Sequence, residues 1–158
     1  MKPKVYLETT IPSYLASRPS RDVIVAGHQK LTHEWWNNRR RAFQLYVSQF
    51  VLEEINLGDR GLVEKRKRFV TKTGVLDPST KALELAEALV QHKAVPKNAS
   101  VDAAHISVAT VHKMDYLLTW NCKHIANAEM IGKIEDVCQK LGYVCPVVCT
   151  PAELMGGK

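Results

Sequence analysis

No stretch of this chain approaches the roughly 18 consecutive apolar residues that a membrane-spanning helix needs, so no membrane role is expected of it. Lys2 and Lys4 stand at the start, but the apolar run behind them is far too short for a secretory leader. A soluble cytoplasmic protein is the resulting expectation. Cysteine is sparse: the four thiols are Cys122, Cys138, Cys145 and Cys149, and no two form a C-x-x-C pair. A zinc site wants tighter pairs or matching histidines, so these read as buried thiols rather than as metal or redox groups. Internal repeats and low-complexity linkers are also missing. With 158 residues, 46% of them hydrophobic, one compact domain over residues 1–158 has enough apolar surface for a sizeable core.

What the chain does have is positive charge in clusters. The net charge is +6 and the isoelectric point about 9.2. Arg39, Arg40 and Arg41 run together, and residues 59–72 hold Arg60, Lys65, Arg66, Lys67, Arg68 and Lys72 against only Asp59 and Glu64. Such clusters suit a polyanion such as nucleic acid, and equally suit a solvated helix face.

Hydrophobic periodicity alternates between strand and helix along the whole length. Residues 4–8 form a first strand, "IPSYLASRPSRD" a turn-rich connection, and Ser20 caps a helix over 21–38 with Ile24, Leu31 and Trp35 as its apolar stripe. Residues 42–48 are rich in aromatic and β-branched side chains and form a second strand. A short helix then ends at Gly58 and a basic helix spans 60–70. After a weak strand at 73–77, Asp77-Pro78 opens a helix to His92 with Ala82, Leu85, Ala86, Leu89 and Val90 as its apolar stripe. Ser100 caps a helix to Lys113, "DYLLTW" is a strand, and a short helix near 122–128 precedes a longer one over 129–141 and a last strand at "VCPVVCT". This alternation predicts an α/β fold with a mainly parallel sheet and helices on both faces.

In open parallel sheets ligands bind beyond the carboxyl ends of the strands, which gives the acidic residues a meaning. Glu8, followed by the hydroxyls of Thr9 and Thr10, ends the first strand; Glu54 lies on the helix leaving the second. Asp102 stands in the first turn of its helix, and Thr119 and Asn121 close the strand "DYLLT". Converging carboxylates repel one another and raise each other's pKa. A hard divalent cation with oxygen ligands, Mg²⁺ or Mn²⁺, relieves that repulsion. Beside a basic surface, such a site suits phosphodiester hydrolysis. Each residue also has an ordinary role: Asp102 complements a helix dipole, Glu54 sits beside Glu53 on a short helix, and Asn121 caps the next turn.

The wording "VYLETTIPSYL", "VLEEINLG", "VDAAHISVAT" and "DYLLTWNCKHI", in that order and spanning roughly residues 4–150, resembles the PIN-domain family, including the VapC-type toxins of bacterial toxin–antitoxin pairs. The resemblance implies a three-layer α/β/α fold and a metal-dependent endoribonuclease, the toxin of such a pair. Carried over position by position, it implies a metal set of Glu8, Glu54, Asp102 and Asn121, with Thr119 beside them as a further catalytic residue. Glu54 is preferred to Glu53 because it precedes Ile55 and stands four residues before Gly58. In the mechanism this implies, Asp102 and Glu8 hold Mg²⁺ or Mn²⁺, Glu54 orients or deprotonates the attacking water, and Asn121 and Thr119 position water or phosphate. Arg39, Arg40, Arg41, Lys65, Arg66, Lys67 and Arg68 would track the RNA backbone. His105 and His124 are assigned core or capping roles. An antitoxin and a second copy of the chain are the implied protein partners, with Trp35 and Trp36 as one surface for them.

Two departures stand out: Glu8 where the family usually has aspartate, and a neutral Asn121. They keep two rivals open, a PIN-like module that binds RNA without cutting it and a small α/β domain that acts through protein partners.

Overall fold

The computed structural model describes residues 1–157. Five short strands, β1 (Lys4–Leu7), β2 (Gln44–Ser48), β3 (Gly74–Leu76), β4 (Tyr116–Leu118) and β5 (Val147–Cys149), form one sheet in the order β3-β2-β1-β4-β5. Every pairing is parallel. Parallel neighbours need a crossover each time, and seven helices supply them: α1 (Thr10–Ala16), α2 (Val23–Asn38), α3 (Gln49–Ile55), α4 (Arg60–Val70), α5 (Thr80–Gln91), α6 (Ser100–Val111) and α7 (Ala128–Lys140). The α1 helix packs on α2 and α4, whereas α5 packs on α6 and α7. Right-handed crossovers then place α1–α4 on one face of the sheet and α5–α7 on the other. The fold is thus the α/β/α sandwich that the alternating pattern implies.

The sheet is apolar on both sides, as a covered parallel sheet must be. Val5, Tyr6, Leu7, Val47, Leu117 and Leu118 are buried, and Trp35, Leu85, Leu89, Ile106 and Ile134 close over them from the helices. The apolar face of α5 is the expected one, but that of α2 is not. Trp35 is fully buried and donates from Nε1 to the Leu154 carbonyl at 3.2 Å, while Ile24 is 70% exposed. The reason is the helix start. Asp22, not Ser20, caps α2, its carboxylate accepting from the amides of Ile24 and Val25, so the first turn lies beyond the core. Trp36 lies half-buried, edge-on to Phe69 at 5.4 Å.

The "turn-rich" connection after β1 is a real helix. Pro12 occupies the first turn of α1, where its missing N–H costs nothing. Ser79 rather than Asp77 caps α5, and residues 122–125 form turns, not a helix. Of the four thiols, Cys138 and Cys149 are buried as expected, with burial pushing the Cys149 thiol up to about 12, but Cys122 is exposed.

Chain direction reverses between β1 and β4. The chain steps outward from β1 through β2 to β3, then crosses back to β4 and on to β5. The gap between the carboxyl ends of β1 and β4 is therefore the switch point at which this architecture opens a crevice.

Candidate metal centre at the switch point

Glu8 and Thr119 are the residues that leave β1 and β4 at this point. The Glu8 amide still donates to the Leu118 carbonyl at 3.0 Å, so the two strands deliver these side chains next to each other. Alternation along β1 puts Tyr6 and Glu8 on one face and Val5 and Leu7 on the other. Glu8 is only 4% exposed, and every hydrogen bond to it ends on one oxygen. Its Oε1 accepts from the Thr10 hydroxyl at 2.5 Å, the Thr10 amide at 3.2 Å and the Thr119 hydroxyl at 2.6 Å. Oε2 has no protein donor among the described residues. The Thr10 hydroxyl in turn accepts from the Trp120 amide at 2.9 Å, which ties the start of α1 to the end of β4.

Glu54 reaches the same place from α3. Its Oε1 accepts from the Thr9 hydroxyl at 2.6 Å and meets His105 Nε2 at 2.5 Å. As at Glu8, Oε2 is left free among the described residues. Burial pushes the Glu54 carboxyl up, but the hydrogen bonds from His105 and Thr9 outweigh it and leave the group below the usual carboxylate range. One ligand atom each from Glu8, Glu54 and His105 lie within 4.8 Å of one another. The two consecutive threonines after β1 therefore hold one acid each, Thr9 for Glu54 and Thr10 for Glu8.

Asp102 and Asn121 lie in the adjoining half. Asn121 Nδ2 donates to Asp102 Oδ1 at 3.0 Å, and His124 Nδ1 lies 3.0 Å from Asp102 Oδ2. The Asn121 side-chain oxygen accepts from the His124 amide at 3.1 Å, which completes the clasp. Thr119 joins the two halves, since its hydroxyl donates to Glu8 and accepts from the Asn121 amide at 2.9 Å. Of the expected set, Glu8, Glu54 and Thr119 stand together, while Asp102 stands with Asn121 and is not in the cluster of three.

The basic residues lie elsewhere. Arg39, Arg40 and Arg41 precede β2 and so stand at the amino edge of the sheet, opposite the carboxyl edge. Arg40 donates to the Trp36 carbonyl at 2.6 Å with its guanidinium over the Trp36 ring, and Arg39 lies over Phe43. Arg66 donates to the carbonyls of Ile55 and Leu57, closing the end of α3, and Lys67 pairs with Glu64 at 3.8 Å. Lys65 and Arg68 line a groove of about 640 Å³ together with Arg18 and Asp59, between the end of α1 and the start of α4.

Two histidines that the sequence reading placed in core or capping roles touch the acids directly. His105 is indeed a core residue, fully buried, yet it is bonded to Glu54. The spacing carried a signal: Asp102 and His105 are three apart on α6 and share a helix face.

Two of the solved structures similar to this chain are VapC proteins or their complexes. VapBC2 from Rickettsia felis, solved bound to a DNA fragment from its promoter, matches over 93% of this chain and 98% of that one with a TM-score of 0.55 and 18% identity. VapC20 of Mycobacterium tuberculosis, described as a toxin that cleaves the sarcin-ricin loop, matches over 75% of this chain and 91% of that one with a TM-score of 0.57 and 19% identity. The fold is VapC-like. No protein-family model and no curated protein matches the sequence, so at these identities the likeness concerns the fold alone. This VapC-like architecture puts the Glu8 and Glu54 pair at the sheet edge where such α/β folds bind ligands.

Proposed function

We propose that the chain is a divalent-cation-dependent endoribonuclease of PIN type and the toxin of a toxin–antitoxin pair. The observation that carries this reading is the way the two acids are held. Glu8 and Glu54 each have Oε1 fixed by hydroxyl or ring donors and Oε2 without a protein partner, at the switch point of a parallel sheet. Two carboxylates this close are costly unless a cation joins them, and their free oxygens suit Mg²⁺ or Mn²⁺, which take one or two carboxylates and keep water. A cation bound there would lower the pKa of its water and offset charge on the phosphate.

The residues around it have distinct tasks. Glu8 and Glu54 would hold the cation. Asp102, both of whose oxygens face donors from Asn121 and His124, orients water in the outer part of the site. Thr119 locks the two halves in register. Lys65, Arg68 and Arg18, along the groove beside α1, bind the RNA backbone. The similar VapC20 structure, described as a toxin that cleaves the sarcin-ricin loop, supports the RNA substrate and the toxin reading.

A second reading has its own observation. The Asp102 clasp leaves that carboxylate engaged, and Asn121 adds no charge, so a module that binds RNA without cutting it is the rival. Incubating a mixed RNA pool with Mg²⁺ or Mn²⁺ separates the two, comparing the wild type with Glu8→Gln and Asp102→Asn. The nuclease reading expects metal-dependent cleavage by the wild type that both substitutions abolish or strongly reduce. Equal cleavage by all three removes the assigned site, and binding without cleavage by the wild type establishes the rival.

A further inference from the structure

Behind Glu54 lies a buried chain of polar groups that the proposed reaction does not use. His105 Nε2 meets Glu54 Oε1 at 2.5 Å, His105 Nδ1 meets the Tyr6 hydroxyl at 2.6 Å, and that hydroxyl meets Ser48 Oγ at 2.7 Å. Tyr6, Ser48 and His105 are all fully buried. About a neutral imidazole, such a chain can be written in two directions. In one, Ser48 donates to Tyr6, Tyr6 donates to Nδ1, and Nε2–H donates to Glu54. In the other, every proton is reversed and a protonated Glu54 donates to Nε2.

Ser48 decides between them. Its hydroxyl has one hydrogen-bond partner among the described residues, Tyr6, and it makes no cap bond to α3. In the reversed direction, and equally with a doubly protonated ring, Tyr6 donates to Ser48, and the Ser48 proton is left buried without an acceptor, which costs the desolvation of an unmade bond. In the forward direction every proton in the chain has an acceptor. The rings of Tyr6 and Phe50 stand edge-on to the His105 ring, at 5.8 and 6.3 Å between centroids, and limit its rotation.

We infer that Ser48, Tyr6 and His105 form a directional relay that fixes His105 as the Nε2–H tautomer and makes it the positioning residue for Glu54. The relay holds Glu54 Oε1 as an acceptor and leaves Oε2 without a protein partner among the described residues. His105 thus acts through Glu54 and touches neither substrate nor cation. This rests on the metal-centre reading for its effect on affinity, but not for the tautomer.

Two measurements test it. In the metal-free wild type, long-range ¹⁵N–¹H correlation spectra of the histidine rings should show His105 as Nε2–H, with Nδ1 as the unprotonated nitrogen. An Nδ1–H tautomer overturns the relay whether or not the protein binds a cation. In the second, Mn²⁺ affinity is measured by calorimetry. His105→Leu, which removes the donor, should weaken binding about 10–100-fold, the usual effect of losing a group that orients a metal ligand. His105→Gln, whose amide nitrogen can stand where Nε2 does, should bind much closer to the wild type than the leucine variant. Tyr6→Phe should fall between them and lose the single tautomer. Circular dichroism confirms that each variant is folded. Folded leucine and glutamine variants of equal affinity overturn the positioning role. A wild type that takes up no Mn²⁺ overturns the metal centre instead, and the tautomer then decides the relay alone.

Discussion

Glu8→Gln is the sharpest perturbation of the proposed centre, because the pocket dictates how the amide must sit. Three donors converge on Oε1, from the Thr10 amide and the hydroxyls of Thr10 and Thr119. Glutamine can satisfy them only with its carbonyl oxygen, which turns its NH₂ to the Oε2 position. The variant therefore folds but presents a donor where a cation needs an acceptor. Without metal it trades relief of the Glu8–Glu54 repulsion against three hydrogen bonds that lose their charged acceptor, so its stability should stay close to that of the wild type. Two carboxylates with oxygens within 4.8 Å of each other repel by roughly 3.5 kcal/mol before solvent screening, taking that distance and an effective dielectric of 20. Solvent at Glu54, whose side chain is 37% exposed, screens that to a fraction. With Mn²⁺ at about 100 times its dissociation constant, the wild type gains about 2.7 kcal/mol by mass action. For a chain of 158 residues, this raises Tm by roughly 5–10 °C. Scanning calorimetry with and without Mn²⁺ reads both effects, and Glu8→Gln should show no rise. An equal rise in both proteins would refute Glu8 as a ligand, and no rise in the wild type would refute the centre itself.

Other outcomes follow from single contacts. Because the Glu54 carboxyl is depressed in the folded protein, the stability it contributes is present above about pH 4.3 and is lost as pH falls through the lower folded value. Urea unfolding of Glu54→Gln across this acid range should show a flatter dependence than the wild type, and an unchanged acid limb would contradict the His105 and Thr9 bonds as the cause. At Gly74 an added Cβ would stand 2.5 Å from Cδ1 and 2.7 Å from Cε1 of Tyr46. Gly74→Ala must displace that ring and should cost about 1–3 kcal/mol in denaturant unfolding; an unmoved midpoint would mean that the ring gives way freely.

The fold was legible because each level of the sequence agreed. Strand-like runs alternate with helical stripes, and Gly58 and Pro78 mark boundaries near where the elements change. The expected basic helix over 60–70 coincides with α4. What periodicity missed was short and local. Seven residues of α1 with Pro12 inside them resemble a turn unless the first-turn tolerance for proline is weighed. At the start of α2, Ser20 and Asp22 are both good caps, and only the structure shows that Asp22 takes the amides while the Ser20 amide bonds Gln29. The basic clusters illustrate another limit: charge in a run says nothing about which edge of the sheet it occupies or which carbonyls and rings it serves.

Strand ends place carboxylates, but donors decide what they can do, and donors come from residues distant in sequence. Glu8 and Glu54 have hydroxyl or ring donors on one oxygen each, whereas Asp102 faces donors at both. This asymmetry sorts the acids into cation holders and an outer orienter, a division that counting acids along the chain could not make. It also bears on the unusual glutamate at the end of β1. Its extra methylene adds rotamer freedom, and fixing a glutamate costs up to about 2 kcal/mol. Hydrogen bonds to a charged acceptor contribute about 1.5–3 kcal/mol each, and Glu8 accepts three. The longer arm is thus pinned at its far end by Thr10 and by Thr119 across the switch point. The hydroxyls that follow the strand are part of the reason a glutamate can stand there.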